Sequence, residues 1–400
     1  MLAGAVTLLL VSCPWTSGTD FDDYAGVNLI AGQNFGAADA ATGEPWFLTP
    51  GLTAATNSDG SGGSGVDYAR FERTSGTGAY APPPDAPGAP VYRLEVVNLF
   101  RNGDFEDETF FENQWSEVVA GPSATSFNTT SQIEGTRSLN VQTGDPDDRV
   151  EVDLAHPDYG LLGGFREDTL FAFHIDFRIA GSSFTMGLHD GTTNAVSGPW
   201  TIVRGSPSEI TVFSFPGSGA QDPADQPISN AIYRQGSRTR LSFGGVDADS
   251  RRVVNGTFDR LRVVQADRGH YARLPVPYRA AGRPDLMSGG TYTFSIYVAP
   301  DPSATDGSAP NRFPARFFSA GLQRNPPLGG VDAEEVLVRT FEGWERVEFQ
   351  FSGSGLRLDS AGGSDAVLEI LLEVGASHLG TTYTDSGSLL VAAPSLTWTP

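Results

Sequence analysis

Lysine is missing from this 400-residue chain: all 26 basic residues are arginine. Against 48 Asp and Glu they leave a net charge of −22 and a pI near 4.5. So acidic a chain argues against nucleic acid as a partner and against electrostatic docking on anionic lipid. The missing lysine itself reads as the imprint of a GC-rich or salt-adapted genome. Cysteine is nearly missing as well. The one residue, Cys13, excludes internal disulfides and a cysteine-ligated structural metal, so core burial must hold the fold. Past the first dozen residues no apolar run reaches the roughly 20 residues of a membrane span. The five histidines are scattered, and neither zinc spacing nor a Ser-His-Asp or Cys-His arrangement has support.

What is present is turn-rich. The chain carries 48 Gly and 27 Pro, with 39% hydrophobic and 10% aromatic residues. That composition fills two cores of ordinary size, and the length is too great for one average domain. Leu2 to Val11 is an apolar stretch of signal-peptide length that runs into Leu10-Val11-Ser12-Cys13. This resembles the bacterial lipobox, which implies removal of residues 1–12 and diacylglycerol on Cys13. Export and a lipid anchor in the cell envelope follow as expectations. No Lys or Arg precedes the apolar core, which places the expected start upstream of Met1.

Residues 13–90 read as a flexible tether. Asn57 to Gly65 is Gly/Ser-rich, and Ala81 to Pro90 is a stiffer polyproline-like spacer. Gly60-Ser-Gly62-Gly-Ser-Gly65 formally matches a dinucleotide fingerprint, but no strand precedes it and no helix follows. Aromatic pieces at Tyr24 to Phe35 and Trp46-Phe47 are the parts able to pack onto the body. From Val91 the pattern is period-2 alternation broken by Gly, Pro, Asp and Asn. Residues 170–179, 291–298, 347–351 and 260–264 all alternate in this way. The expected fold is all-β, two tandem antiparallel jelly-roll sandwiches spanning 91–266 and 267–400.

An internal echo supports two copies of one architecture. Glu209 to Gly219 aligns with Glu345 to Gly355, each after a tryptophan, Trp200 and Trp344. The second copy lacks the opening stretch of the first, so it is shorter or borrows a strand. Asn255-Gly-Thr-Phe-Asp259 is an alternative second opening, which moves the boundary earlier.

The first module opens Asn98-Leu-Phe-Arg-Asn102-Gly103-Asp104-Phe105-Glu106, reaches Trp115, shows Gly135-Thr-Arg-Ser-Leu-Asn-Val141, and closes on Phe258-Asp259-Arg-Leu-Arg-Val-Val264. This resembles the galactose-binding-like jelly roll, in particular carbohydrate-binding modules of the family 4/9 type. The resemblance implies a glycan or polysaccharide partner, and a structural calcium held by carboxylates at Glu106 and Asp259. Sugar recognition needs flat aromatic faces beside planar polar groups. Trp115, Trp200, Tyr233 and Trp344 are the aromatic candidates, with a core position favoured for Trp115 and Trp344. His189 sits at an expected turn. Glu151-Val-Asp153-Leu-Ala-His156 begins like the paired carboxylates of jelly-roll glycosidases, but places His where the general acid belongs. A non-catalytic glycan-binding lipoprotein is therefore expected; a structural or protein-interaction role is the alternative, and a divergent glycosidase the weakest reading.

Overall fold

The structure is a computed structural model. It describes residues 24–30, 47–48, 69–118, 126–128, 136–144, 148–164, 171–179, 183–189, 197–203, 209–214, 239–244, 255–265, 271–278, 284–305, 309, 311–315, 317–325, 333–338, 341–356, 367–374 and 386–400. Among these, strands form four five-stranded sheets, with every strand pairing antiparallel. Alternation explains the layering. On Thr291–Pro300, Tyr292, Phe294, Ile296 and Val298 are buried, and on Arg149–Asp153, Val150 and Val152 are. Each turns one face to a core, as a period-2 pattern requires. The sheets pack in pairs, giving the all-β double sandwich expected.

The first sandwich pairs two sheets. One runs Glu209–Ser214, Phe171–Ile179, Asn255–Gln265, Leu139–Gln142 and Ser126–Asn128; the other runs Ser197–Val203, Ser183–His189, Arg240–Gly244, Arg149–Asp153 and Trp115–Val118. Its core joins both, with Leu139, Val141, Phe173, Ile175 and Phe258 from one sheet against Val150, Val152, Leu241 and Phe243 from the other. Phe243 and Phe258 stack across the gap at 4.4 Å between centroids. Fully burying each such side chain contributes roughly 1.5–3 kcal/mol.

The second sandwich has the same strand order. One sheet runs Glu345–Ser352, Thr291–Pro300, Gly387–Thr399, Val91–Val96 and Ala69–Arg73; the other runs Ala333–Val338, Phe317–Asn325, Val367–Val374, Tyr271–Pro277 and Phe47–Leu48. Matched strand by strand, the two sandwiches follow one topology. Three strands of the second precede the first sandwich in the chain, and seven follow it. The first sandwich is thus inserted into the second, between Val91–Val96 and Tyr271–Pro277. Val91–Val96 pairs with Gly387–Thr399, not with the strands that follow it in sequence.

This arrangement corrects the sequence reading at three points. Residue 91 does not open the first sandwich. Asn255-Gly-Thr-Phe is not a second opening, because it lies inside the Asn255–Gln265 strand of the first sandwich. Nor are residues 13–90 a tether throughout: Tyr24, Leu29 and Ile30 are buried in the second core, and Ala69–Arg73 is an edge strand of its sheet. The polyproline-like spacer is the link between two paired strands, and Trp344 donates its Nε1–H to the Ala81 carbonyl at 2.9 Å.

The missing opening of the second copy lies at its proper place, upstream of the insertion. Asn98 Oδ1 accepts from Phe100 N and Val263 N, while Leu99 N donates to Val263 O. Asn28 repeats this bond for bond, accepting from Ile30 N and Leu396 N while Leu29 N donates to Leu396 O. Both closing strands break register three residues earlier, at Arg260 (φ 48°) and Ala393 (φ 49°). Asn28-Leu-Ile-Ala-Gly-Gln-Asn-Phe35 is the weakened counterpart of Asn98-Leu-Phe-Arg-Asn-Gly-Asp-Phe105.

The two sandwiches meet at that opening turn. Asn311, on the link after Thr291–Pro300, donates Nδ2–H to Phe100 O at 2.6 Å and accepts from Gly103 N at 3.0 Å and Asn98 Nδ2 at 2.8 Å. Its own N–H donates to Asp104 Oδ2 at 3.1 Å. Asn311 adopts φ 62°, a left-handed conformation that asparagine tolerates better than most residues. Gly103 is obligatory at this contact, since a Cβ there would lie 2.0 Å from Leu261 O.

Candidate functional site

The strand Arg149–Asp153 turns Val150 and Val152 inward, so Arg149, Glu151 and Asp153 share its outer face. A solvated outer face is the ordinary outcome for charged residues. Here Glu151 and Arg149 are nearly buried, with 4% and 8% of their side chains exposed. Arg149 Nε donates to Glu151 Oε2 at 2.8 Å, and Arg240 Nη1 to Glu151 Oε1 at 2.6 Å. Arg240 lies on the neighbouring strand opposite Asp153, and its side chain is 37% exposed. Asp153 Oδ1 accepts from Thr239 Oγ1 and Ala155 N, at 2.8 and 3.0 Å. Ser242, fully buried, stands opposite Glu151. A carboxylate at the bottom and a guanidinium at the rim are thus fixed on rigid strands. Such charge-assisted pairs are the strong hydrogen bonds of a protein surface.

Along the chain this strip leads into the turn 153–160, which carries aromatics. His156 and Tyr159 are half-buried with ring centroids 4.9 Å apart, and Phe110 meets Tyr159 edge-on at 5.1 Å. His156 Nδ1 accepts from both Asp158 N and Tyr159 N, so the ring proton resides on Nε2, a donor of fixed direction. Phe110 is set by the short helix Glu108–Gln114, which Asp107 caps by accepting from Phe110 N at 3.0 Å. Gln114 ties the helix to the turn through Nε2–H bonds to Arg101 O and Tyr159 O. Sequence reading missed Phe110, Tyr159 and Arg240. The only signals were the H-P-D-Y-G turn and an Arg three residues before a core-facing Phe243.

The candidates named from sequence fare unevenly. Trp115 is 3% exposed and packs among Phe100, Phe105 and Phe243, so it is a core residue and not a stacking platform. Its place at a strand start that faces inward is the reason. His189 is in the last position of Ser183–His189, in register with Arg240, so it is on a strand and not at a turn. Trp200 is in register with Met186 on the adjoining strand. Both thus belong to the same sheet as the Glu151 cluster; Tyr233 and Cys13 lie outside the described residues.

Glu106 and Asp259 do converge, on the segment 136–138. Glu106 Oε1 accepts from Thr136 N and Arg137 N, and Oε2 from the Thr136 hydroxyl. Asp259 Oδ2 accepts from Ser138 Oγ at 2.7 Å and Oδ1 from Arg260 N at 2.7 Å. Calcium asks for six to eight oxygen ligands. Every carboxylate oxygen of the pair already accepts from an N–H or O–H donor, and among the described residues no three acidic, His or Cys side chains gather. The donor set as arranged fits strand-opening caps and does not fit a cation cage. In the second sandwich the counterparts of Glu106 and Asp259 are Gly36 and Ala392, so that sandwich has neither carboxylate.

No protein-family model matches the chain, and no curated protein does. Among solved structures, the N-terminal CBM22-1–CBM22-2 tandem domain of Xyn10C from Paenibacillus barcinonensis superimposes with a TM-score of 0.24 at 14% identity, covering 72% of this chain and 93% of that one. Tandem CBM51 modules of a family 98 glycoside hydrolase from Streptococcus pneumoniae give 0.18 at 8% identity, covering 71% and 100%. A triple jelly-roll protein of an archaeal virus turret gives 0.19 at 11% identity, covering 76% and 64%. Likeness this distant assigns no activity to this chain.

Proposed function

We propose that this chain is a non-catalytic glycan-binding protein, exported and anchored through lipid on Cys13. The observation that carries the glycan reading is the outer face of the first sandwich, where Arg149, Glu151, Arg240 and Asp153 are held in fixed geometry. Arg240 and Asp153 reach the surface and are suited to the paired donors and acceptors of sugar hydroxyls, while the nearly buried Glu151 and Arg149 fix the strip beneath them. The nearby His156–Tyr159–Phe110 cluster supplies apolar ring surface for the C–H face of a pyranose. The opening and closing motifs that resemble family 4/9 carbohydrate-binding modules support the same reading.

The charge pattern speaks against a glycosidase. Glu151 and Asp153 share one strand face, but a hydrolase needs one carboxyl that holds a proton for the leaving group. Glu151 is clasped by two guanidinium groups, the surroundings of an ionised acceptor. With a net charge of −22, nucleic acid is not the proposed partner.

The test is a glycan array probed with the chain from residue 14 onward. Binding to at least one glycan is expected, with a tenfold or greater loss in Arg240→Ala and in Tyr159→Ala. No binding to any glycan by a folded sample refutes the proposal. Binding that both variants leave unchanged moves the site away from this face.

A further inference from the structure

The anchor and the second sandwich are joined more closely than a tether of 13–90 implies. Tyr24 is 4% exposed, packs on Trp398 at 4.9 Å between centroids, and donates its hydroxyl to Asp285 O at 2.7 Å. Asn28 and Leu29 then clasp Leu396 from both sides. Only residues 14–23 lie between Cys13 and this plug. Fully extended, the eleven steps from Cys13 to Tyr24 reach at most about 40 Å. The 44 residues between Tyr24 and Ala69–Arg73 add nothing to the reach, because the chain is already seated at Tyr24.

The plug also has a definite place. It closes the end of the second sandwich where the Gly387–Thr399 strand finishes, beside the turns at Gly289–Gly290 and Gly353. The first sandwich leaves from the other end of that same strand. Gly387 is in register with Val96, two residues before Asn98, and the main chain of Ser388 bonds Phe313 and Ala315, which flank the Asn311 contact. Ser388 and Trp398 are ten residues apart on one strand, about 30 Å at the usual rise.

We propose that the second sandwich is a membrane-proximal spacer. Its Tyr24–Trp398 end faces the lipid surface, and its opposite end holds the first sandwich outward. The proposal rests on the lipid-anchor reading of Cys13 and is independent of whether the ligand is a glycan. It assigns the two copies of one fold different work. The copy with the weakened opening motif carries the anchor, and the copy with the Glu151 face is displayed.

The single cysteine makes the geometry testable apart from the biology. The chain from Cys13 onward is coupled through that thiol to maleimide lipid in vesicles containing an acceptor dye. A donor dye is placed by amber suppression at Ser354, exposed near the plug, or at Glu112, exposed on the first sandwich. Strong energy transfer from Ser354 and weak transfer from Glu112 is expected. Asn28→Ala, which loosens the plug, should lower the transfer from Ser354 severalfold. Equal transfer from the two sites, or stronger transfer from Glu112, overturns the orientation. Mass spectrometry of the exported chain is the separate arm. Diacylglycerol on Cys13 supports the anchor; an unmodified Cys13 removes the proposal even if the coupled protein shows the expected order.

Discussion

Replacing Asp301 by Asn should unlatch the second sandwich and leave the first intact. Its carboxylate is fully buried and accepts from Arg93 Nε at 2.6 Å, Ser388 Oγ at 2.7 Å, and Ser303 N and Oγ at 3.1 and 2.8 Å. Arg93 lies on Val91–Val96, before the insertion, while Ser303 and Ser388 lie after it. The residue therefore staples chain segments separated by the whole first sandwich. Burial opposes the charge on Asp301, but the bonds from Arg93, Ser388 and Ser303 outweigh it and hold the carboxyl below its ordinary value. Removing one partner of a buried pair typically costs about 3–5 kcal/mol. Arg93 keeps its contacts to Glu72 and Tyr80, which places the expected cost near the lower figure, about 3 kcal/mol.

The pH dependence has a definite sign. A depressed folded value means that the stabilisation is present above the unfolded carboxylate range, near pH 4, and is lost as pH falls through the folded value. Urea denaturation followed by circular dichroism at pH 7 and pH 3 is the assay. The variant should be weaker by about 3 kcal/mol at pH 7, with a smaller gap at pH 3. A gap below about 1 kcal/mol at pH 7, or one that does not narrow in acid, refutes the staple.

Three further outcomes follow from the nested arrangement and the opening turn. Residues 97–266 alone should express as a folded β-protein, because every described strand within them pairs with another of the set; residues 267–400 alone should aggregate, because Tyr271–Pro277 loses Phe47–Leu48, Gly387–Thr399 loses Val91–Val96, and both become open edges. Soluble, cooperatively unfolding 267–400 contradicts the insertion. Gly103→Ala should cost about 1–3 kcal/mol in thermal or urea unfolding, since its Cβ would strike Leu261 O; a neutral substitution contradicts the close approach. Chelator should leave the melting temperature unchanged, given that the oxygens of Glu106 and Asp259 already accept hydrogen bonds; a drop of several degrees shows that the pair closes on a cation.

Alternation made the fold legible. Phe171–Ile179 and Thr291–Pro300 read as strands because period-2 burial is a local property, and the echo at 209–219 and 345–355 marked two copies for the same reason. Connectivity was not legible, since which strand pairs with Val91–Val96 is a non-local fact. Asn28-Leu-Ile-Ala-Gly-Gln-Asn-Phe35 shares only Asn, Leu and Phe with its counterpart, too little to recognise without the matching bonds to Leu396 and Val263. At the candidate site Glu151 and Asp153 were visible as a spacing. Their chemistry was not, because the deciding partner, Arg240, is 89 residues away along the chain. Trp115 was legible the other way: among the aromatic candidates a core position is favoured for it, because it opens a strand, and it is buried.

The glycan claim is tested most directly by hydrogen exchange on the full chain, with and without the strongest-binding glycan from the array. Added protection confined to 148–160, 183–189 and 239–244 is predicted, because these segments carry Glu151, Arg240 and the His156–Tyr159 turn or pair beside them. Protection centred on the second sandwich, at 271–277 or 367–374, would contradict the assignment of binding to the first.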